Sequence, residues 1–196
     1  MKKIIVASWN VNSVRARIDL LLNWLNIQKP DVLLLQEIKA REQDFPYEAF
    51  QDFNYNIEIN GQKSYNGVAI FSKFPLSDIQ LNIPNFNDPQ ARYIEAWVNY
   101  EESGFRVASV YAPNGNPLGT EKYNYKLKWL DKFSSHIKTL LSSEEKIILA
   151  GDYNICPSKK DVANENMVKQ DAVYQTEPKI LYRKICSYGY FDAFRS

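Results

Sequence analysis

The chain has 196 residues, of which 45% are hydrophobic and 24% charged, a balance typical of a globular protein with one sizeable core. Its formal net charge of +1 provides no general attraction to nucleic acid, so any such contact must come from local basic and backbone groups. No apolar run is long enough for a membrane helix, and the opening residues turn polar too early for a secretory signal. We therefore predict a single domain over residues 1–196, located in the cytoplasm and without membrane contact.

Cysteine usage argues against two further classes of protein. Cys156 and Cys186 have no close-spaced Cys or His partner, so they form neither a disulfide framework nor a zinc site. We predict that both are reduced thiols.

The first elements are predicted from a change in hydrophobic period. KIIVASW is a short apolar run typical of a strand, and the apolar positions Ile18, Leu21, Leu22 and Leu25 then follow helical spacing. Pro30 is predicted to stop this helix. The run DVLLLQE that follows predicts a strand buried on both faces, because its apolar residues do not alternate with polar ones.

The rest of the chain alternates strands with two helices. A long helix is predicted from about Thr120 to Ser142, where apolar residues form one stripe, and it precedes the strand KIILAGD. A final helix is predicted over Lys179 to Tyr188, with Gly189 as its stop. The middle strands are predicted at YNIEIN, GVAIFS, RYIEAWVNY and FRVASVY.

Strands and helices in this mixture predict an α/β domain with helices outside its sheets. KIIVA at residues 3–7 resembles KIILA at residues 146–150, and each is followed by a polar cluster containing Asn10 or Asn154. We interpret the two runs as matching strands of two related halves, with chance similarity between buried strands as the alternative. Open α/β sheets place ligands at the carboxyl ends of such strands.

Polar side chains follow four of the predicted strands at the point where each strand ends. A single terminal Asn or Asp is usually a turn former or helix cap, but four strands with the same feature favour a common site. Oxygen donors without nearby His or Cys suit a hard cation such as Mg²⁺, so metal-assisted phosphate chemistry is the leading hypothesis. These residues are Asn10, Asn12, Glu37, Tyr111, Asn114, Asp152 and Asn154.

The motifs SWNVNSVRAR, LQEIK, YNGVAIFSK, VYAPNG and GDYNICP occur in this order, and YGYFDAFR closes the chain. Together they resemble the exonuclease III branch of the endonuclease/exonuclease/phosphatase superfamily, which includes the apurinic/apyrimidinic endonucleases. The resemblance runs from Lys3 to Arg195. It implies a four-layer α/β/β/α sandwich. It also implies Mg²⁺-dependent hydrolysis of DNA phosphodiesters at abasic sites and 3′ ends, with Mn²⁺ as an alternative metal.

The resemblance assigns roles residue by residue. Glu37 is similar to the metal-binding carboxylate, Asn10 to its neighbour at the metal, and Asn12 to a residue that orients metal-bound water. Asp152 resembles the residue that handles the proton of the attacking water or leaving group, and it is also placed at the metal. The other assignments are Asn154 to the phosphate oxygen and metal, Tyr111 to the active-site tyrosine, and Arg15, Lys39, Asn66, Arg92 and Asn114 to DNA contact or support.

The chain departs from the pattern of this family at its end. Relatives continue into an Arg-Ile-Asp strand and a final Asp-His motif, which supplies a further carboxylate and the catalytic histidine. We therefore expect the domain to lack its last strands and to be a weak or inactive nuclease. The only histidine, His136, is predicted to be a surface or packing residue of the long helix.

The leading interpretation is a monomeric DNA repair enzyme that acts on double-stranded DNA with abasic sites or 3′ ends. Two alternatives remain open. One is a relative of the phosphatase or phospholipase type that acts on phospholipid or inositol phosphate. The other is a non-catalytic DNA- or metal-binding remnant. The motifs SWNVNSVRAR, YNGVAI and YAPNG favour DNA as the substrate.

Overall fold

The computed structural model describes residues 3–195, whose internal contacts divide into two compact units. The first unit extends to Tyr111 and also contains Glu145–Asp152. The second contains Ala112–Glu144 and the chain from Tyr153 onward. The prediction of a single domain stays a prediction.

The first unit contains two four-stranded mixed sheets. In the first sheet the order is β1-β2-β4-β3, with β1 parallel to β2 and the other pairs antiparallel. A helix, α1, connects β1 to β2 and ends with Lys29 in the left-handed conformation, at φ 46°, just before Pro30. The elements are β1 (Val6–Asn10), α1 (Ile18–Gln28), β2 (Val32–Gln36), β3 (Asn56–Asn60) and β4 (Val68–Ser72).

The second sheet has the order β5-β6-β7-β8, and its last two strands are parallel. Strand β5 shows a register shift against β6 between Ser77 and Gln80, and Asp78 within this shift has φ 47°. Its strands are β5 (Leu76–Leu81), β6 (Tyr93–Val98), β7 (Phe105–Tyr111) and β8 (Ile147–Asp152).

The core of the first unit lies on both faces of β2, as its unbroken apolar run predicts. Leu33 and Leu35 pack in one cluster with Leu21 and Leu25 of α1. Val32 and Leu34 belong to a second cluster, which combines residues of β4 with residues of β6 and β7. Burial of apolar surface on both faces therefore holds α1, the first sheet and the second sheet together as layers.

The second unit is built on helices α2 (Glu121–Leu140), α3 (Glu165–Val168) and α4 (Thr176–Ser187). Contacts join α2 to α4, and the segment after α4 adds a hydrogen bond from the Tyr190 hydroxyl to the carbonyl of Ile137, 2.8 Å. None of the helices within residues 3–195 has the length and apolar character needed to cross a membrane. Both cysteines are free thiols, as predicted.

The predicted helices and strands are confirmed, with a few differences. Strand β1 begins at Val6, three residues after the start of the predicted run, and the short helix α3 was not predicted. Strand β5 was not predicted, because LSDIQL is largely exposed and its apolar residues do not alternate regularly. Helix α4 begins at Thr176, three residues before the predicted start. Pro178 lies in its first turn, where the missing N–H has no helical partner in any case.

The two similar runs occupy corresponding places in the fold. Strand β1 is the edge of the first sheet and pairs in parallel with β2, while β8 is the edge of the second sheet and pairs in parallel with β7. Their carboxyl ends deliver Asn10 and Asp152. The interpretation of KIIVA and KIILA as matching strands agrees with this topology.

Gly151, just before Asp152, has no room for a side chain. A Cβ atom there would lie 2.0 Å from the carbonyl oxygen of Val110 in the paired strand. We expect Gly151→Ala to lower the free energy of unfolding by about 3 kcal/mol, because backbone atoms must move apart. Urea denaturation measures the change.

Gly119→Ala is the matched control, because Gly119 also has a positive φ, +70°, but its added Cβ would meet nothing within 4 Å. Its cost should be about 1 kcal/mol, from the left-handed backbone alone. Equal losses of unfolding free energy in the two variants would contradict the idea that the close carbonyl of Val110 requires glycine at position 151.

Candidate active site

Four of the predicted site residues lie at the carboxyl ends of strands in the first unit. Asn10 ends β1, Glu37 follows β2, Tyr111 ends β7 and Asp152 ends β8. Each of the two strand pairs, β1 with β2 and β7 with β8, is parallel, so the carboxyl ends of both strands in a pair lie side by side. Contacts between β1 and β8 bring the two pairs of strand ends close to each other. The sheets therefore place the four side chains in one region.

The side-chain amide of Asn10 connects the two carboxylates of this region. Its Nδ2 donates to Oε1 of Glu37 at 2.9 Å and to Oδ2 of Asp152 at 2.9 Å. Its Oδ1 accepts from the backbone N–H of Asn12 at 3.1 Å, which fixes the orientation of the amide. One amide thus holds two acidic groups that are far apart in the sequence.

Glu37 is surrounded by donors in addition to Asn10. Its Oε2 lies 3.0 Å from Nζ of Lys39, and the hydroxyl of Tyr111 is a further donor group near the carboxylate. Burial acts to raise the pKa of Glu37, but the hydrogen bonds from Asn10, Lys39 and Tyr111 together lower it below its ordinary value. The carboxylate is therefore ionised at neutral pH.

Asn12 and Lys39 lie next to Glu37 in the same region. The Oδ1 of Asn12 accepts from Nζ of Lys39, so the ammonium group bridges Asn12 and Glu37. Asn12, Glu37 and Lys39 all have positive φ values, of 46°, 53° and 52°. Strained backbone of this kind is often found at functional sites.

Tyr111 is held by Arg92. The guanidinium carbon lies 4.8 Å from the ring centroid of Tyr111, and Nη1 of Arg92 donates to the carbonyl of Tyr111 at 3.4 Å. Burial, followed by the nearby Glu37 carboxylate, raises the pKa of Tyr111 to about 12, so its hydroxyl remains protonated and can donate. Two roles were predicted for Arg92, contact with DNA and support of the site. Because Arg92 is only 9% exposed, its burial favours support of Tyr111.

The remaining supporting residues of the first unit differ in accessibility. Asn66 is 8% exposed, and its Nδ2 donates to Oε1 of Gln62 at 2.9 Å and to Oε1 of Gln90 at 3.1 Å. Its backbone carbonyl accepts from the N–H of Lys39 at 3.0 Å, so Asn66 supports the loop that carries Lys39. Arg15 is exposed in the loop before α1.

Sequence reasoning missed a buried polar link directly behind Glu37. Nε2 of Gln36 in the first sheet donates to Oγ of Ser109 in the second at 3.0 Å, and Ser109 donates to the carbonyl of Leu35 at 2.8 Å. This link ties the two sheets together next to the site. In the sequence, the signal is a glutamine and a serine within runs that are otherwise apolar.

The donors in this region fit a hard divalent cation. Glu37 and Asp152 each have a carboxylate oxygen 2.9 Å from the same nitrogen, Nδ2 of Asn10, so the two acidic groups lie close together. Mg²⁺ in proteins is commonly bound by one or two carboxylates together with water and phosphate. Across residues 3–195, no group of three or more His, Cys, Asp and Glu side chains could hold a metal ion. The metal-binding roles of Asn10, Glu37, Asp152 and Asn154 stay predictions.

In the second unit, Asn154 and Asn114 are hydrogen bonded to each other. Nδ2 of Asn114 donates to Oδ1 of Asn154 at 3.2 Å, and Nδ2 of Asn154 donates to the carbonyl of Ala112 at 2.9 Å. Asn154 has φ 48° and follows Asp152 by two residues. His136 lies in α2 with intermediate exposure, at a helix position as predicted.

Residues 7–188 match the model of the Endonuclease/Exonuclease/phosphatase family. The chain is 31% identical to exodeoxyribonuclease III of Haemophilus influenzae over 196 residues, which cover 96% of this chain and 73% of that protein. It is 26% identical to the DNA repair nuclease APEX1 of Danio rerio, a match that covers 97% of this chain and 61% of that protein. The chain therefore spans less than two thirds of the second relative.

Solved structures of DNA-processing enzymes also match the chain. An AP endonuclease from Archaeoglobus fulgidus matches with a TM-score of 0.92 and 30% identity over 98% of this chain and 74% of that chain. The 3′ phosphatase NExo from Neisseria, bound to product DNA hairpin, matches with a TM-score of 0.89 and 31% identity over 95% of this chain and 71% of that chain. These matches confirm the predicted α/β fold with two mixed sheets and flanking helices.

Proposed function

The chain belongs to the endonuclease/exonuclease/phosphatase family, and on this premise we propose that it is a divalent-metal-dependent DNA phosphodiesterase acting at abasic sites and 3′ ends. The observation that carries the proposal is the pair of carboxylates, Glu37 and Asp152, held by the single amide of Asn10. One relative is named an exodeoxyribonuclease and another a DNA repair nuclease, and the Neisseria protein was solved with a product DNA hairpin. Both observations favour DNA as the substrate class.

Phosphodiester hydrolysis builds negative charge on the non-bridging oxygens and on the leaving oxygen. Mg²⁺, or Mn²⁺ as an alternative, supplies charge neutralisation at these oxygens when it is bound. Glu37 would hold the cation, with Asp152 and Asn10 beside it. The hydrogen bonds of Asn10 fix the two carboxylates in place, so little reorganisation is needed when substrate binds.

The other residues act as a base and as hydrogen-bond donors. Asp152 aligns the attacking water and takes its proton, because it is a carboxylate at a rigid strand end. Tyr111 remains protonated and is held by Arg92, so its hydroxyl can donate to a phosphate oxygen. Asn154 donates its amide to a phosphate oxygen. One donor of this kind is typically worth about 3 kcal/mol at a developing anion.

The DNA contacts are assigned to basic and amide groups near these residues. Arg15 is exposed and contacts backbone phosphate, whereas Lys39 and Asn66 shape the loop beside Glu37. Asn114 supports Asn154 through its amide. We also propose that the protein acts as a monomer in the cytoplasm.

The test compares three substrates under single-turnover conditions with protein in excess. They are a duplex with one abasic site, a duplex with a recessed 3′ end, and an inositol phosphate. We expect slow cleavage of the two DNA substrates in the presence of Mg²⁺, in keeping with the weak activity predicted from the sequence, loss of cleavage with EDTA, and recovery when Mg²⁺ is added back. The inositol phosphate should remain intact.

Two other outcomes would support the alternative functions. Hydrolysis of the inositol phosphate with intact DNA would show a phosphatase or phospholipase type of activity. Binding of the abasic duplex without cleavage of any substrate would show a non-catalytic remnant. Either result would overturn the proposed DNA phosphodiesterase.

A further inference from the structure

Lys126 of α2 is a fully buried lysine that contacts three separate loops. Its side chain is 0% exposed. Its Nζ donates to the carbonyl oxygens of Asn154 at 2.6 Å, Asn114 at 2.9 Å and Ala172 at 3.1 Å. All of these residues lie in the second unit. An ammonium group has three hydrogens, so these three carbonyls match its donor capacity.

The loop around Gly115 is shaped to fit the alkyl chain of Lys126. Gly115 has φ +91°, and a Cβ there would lie 2.6 Å from Cδ of Lys126 and 3.3 Å from Cβ of Ala172. Burial of a lysine is costly unless its charge is well hydrogen bonded. The close packing and the three hydrogen bonds therefore indicate that the fold specifically accommodates the charge of Lys126 at this buried position.

The same loops are also joined by side chains. Asn116 donates to Oδ1 of Asp171 at 2.9 Å and accepts from the N–H of Ala172 at 2.9 Å. The N–H of Cys156 donates to the carbonyl of Val173 at 2.8 Å. These bonds connect the loops to one another, whereas Lys126 connects all three to the rigid helix α2.

We propose that Lys126 is a positioning residue that sets the location of Asn154, and of Asn114 which supports it, so that Asn154 can contact the phosphate of the substrate. The inference rests on the proposed function, in which Asn154 donates to a phosphate oxygen. The ammonium group fixes the backbone carbonyls of the two residues whose side chains are hydrogen bonded to each other at 3.2 Å. In this role Lys126 acts on the substrate site through the backbone carbonyls that it holds, and it takes no part in proton transfer.

Lys126→Met tests this role, since methionine retains an unbranched apolar chain but has no donor. Ile137→Ala is the matched control, because Ile137 is also fully buried in α2 and its truncation leaves a cavity without touching the three carbonyls. Both variants should lose stability. Only Lys126→Met should release the loops.

Two measurements separate positioning from stability. Hydrogen exchange at the amides of Cys156 and Ala172, together with the side-chain amide resonance of Asn154, reports the order of the loops without any substrate. We expect faster exchange and a shifted Asn154 resonance in Lys126→Met and neither in Ile137→Ala. In cleavage of abasic DNA, kcat should fall by about 10²-fold with KM nearly unchanged, as for a donor lost in the transition state.

Unchanged loop exchange, or cleavage equal to that of Ile137→Ala, would overturn the inference. If Lys126→Met does not fold, Gly115→Ala provides the second variant, because it keeps the ammonium group but displaces the lysine side chain. It should show the same loop exchange and the same loss of kcat, and wild-type values would again overturn the inference. If the wild type cleaves no DNA, the proposed function fails, and the exchange data still decide whether Lys126 positions Asn154.

Discussion

Replacement of Glu37 by Gln is expected to weaken Mg²⁺ binding by more than about 100-fold, beyond the 10- to 100-fold typical of a lost outer-shell partner. The charge of the carboxylate is lost, while the side-chain shape and one acceptor oxygen for Asn10 are kept. Burial disfavours the ionised form of Glu37, but three donors lower its pKa overall. The surroundings of Glu37 therefore stabilise its negative charge. Calorimetric titration with Mg²⁺ measures the change.

Glu58→Gln provides the control for this experiment. Glu58 lies in β3 of the same unit with intermediate exposure, and burial followed by the charge of Glu42 raises its pKa. The same substitution there should leave Mg²⁺ affinity unchanged. Equal affinity of the wild type and Glu37→Gln would remove the central residue from the proposed metal site.

Asp152→Asn is expected to reduce the single-turnover rate of abasic-site cleavage by about 10²- to 10⁴-fold, the usual contribution of a general acid or base. The amide oxygen of the new side chain can still accept from Nδ2 of Asn10, which lies 2.9 Å from Oδ2 of Asp152 in the wild type. The melting temperature should therefore stay close to that of the wild type. A quenched-flow or manual time course, with thermal unfolding measured in parallel, checks both expectations.

Asp31→Asn separates the loss of the base from a general loss of one negative charge. Asp31 precedes β2, at the end of the strand opposite Glu37, and accepts from the N–H of Ile5 at 2.9 Å and from Nζ of Lys73 at 3.3 Å. Its substitution should lower stability slightly and leave cleavage unchanged. A rate loss in Asp31→Asn as large as in Asp152→Asn would assign the effect to charge and not to proton transfer.

Much of the fold could be predicted from local sequence, because hydrophobic period depends only on neighbouring residues. The run VLLLQ is buried along its whole length, as its lack of alternation predicts. Strand β5 and the early start of α4 could not be predicted in this way. Pairing with β6 forms β5 despite its exposed side chains, and the first turn of α4 tolerates a proline.

The sequence by itself determined which residue types stand at the strand ends, and the motifs that contain them identified the family. Glu37, Tyr111 and Asp152 stand at the ends of predicted strands, and this placement follows from the sequence without any tertiary contact. The relatives and the solved structures agree with that family.

Only the tertiary structure decided how these groups are held. Asn10 donates to Asp152 across 142 positions of sequence, and the guanidinium of Arg92 is buried against Tyr111. Lys126, a lysine at an unremarkable helix position in the sequence, is fully buried on three carbonyls. Residue type and period encode which groups are available. Burial and hydrogen bonding between distant segments depend on chain packing, which local spacing does not specify.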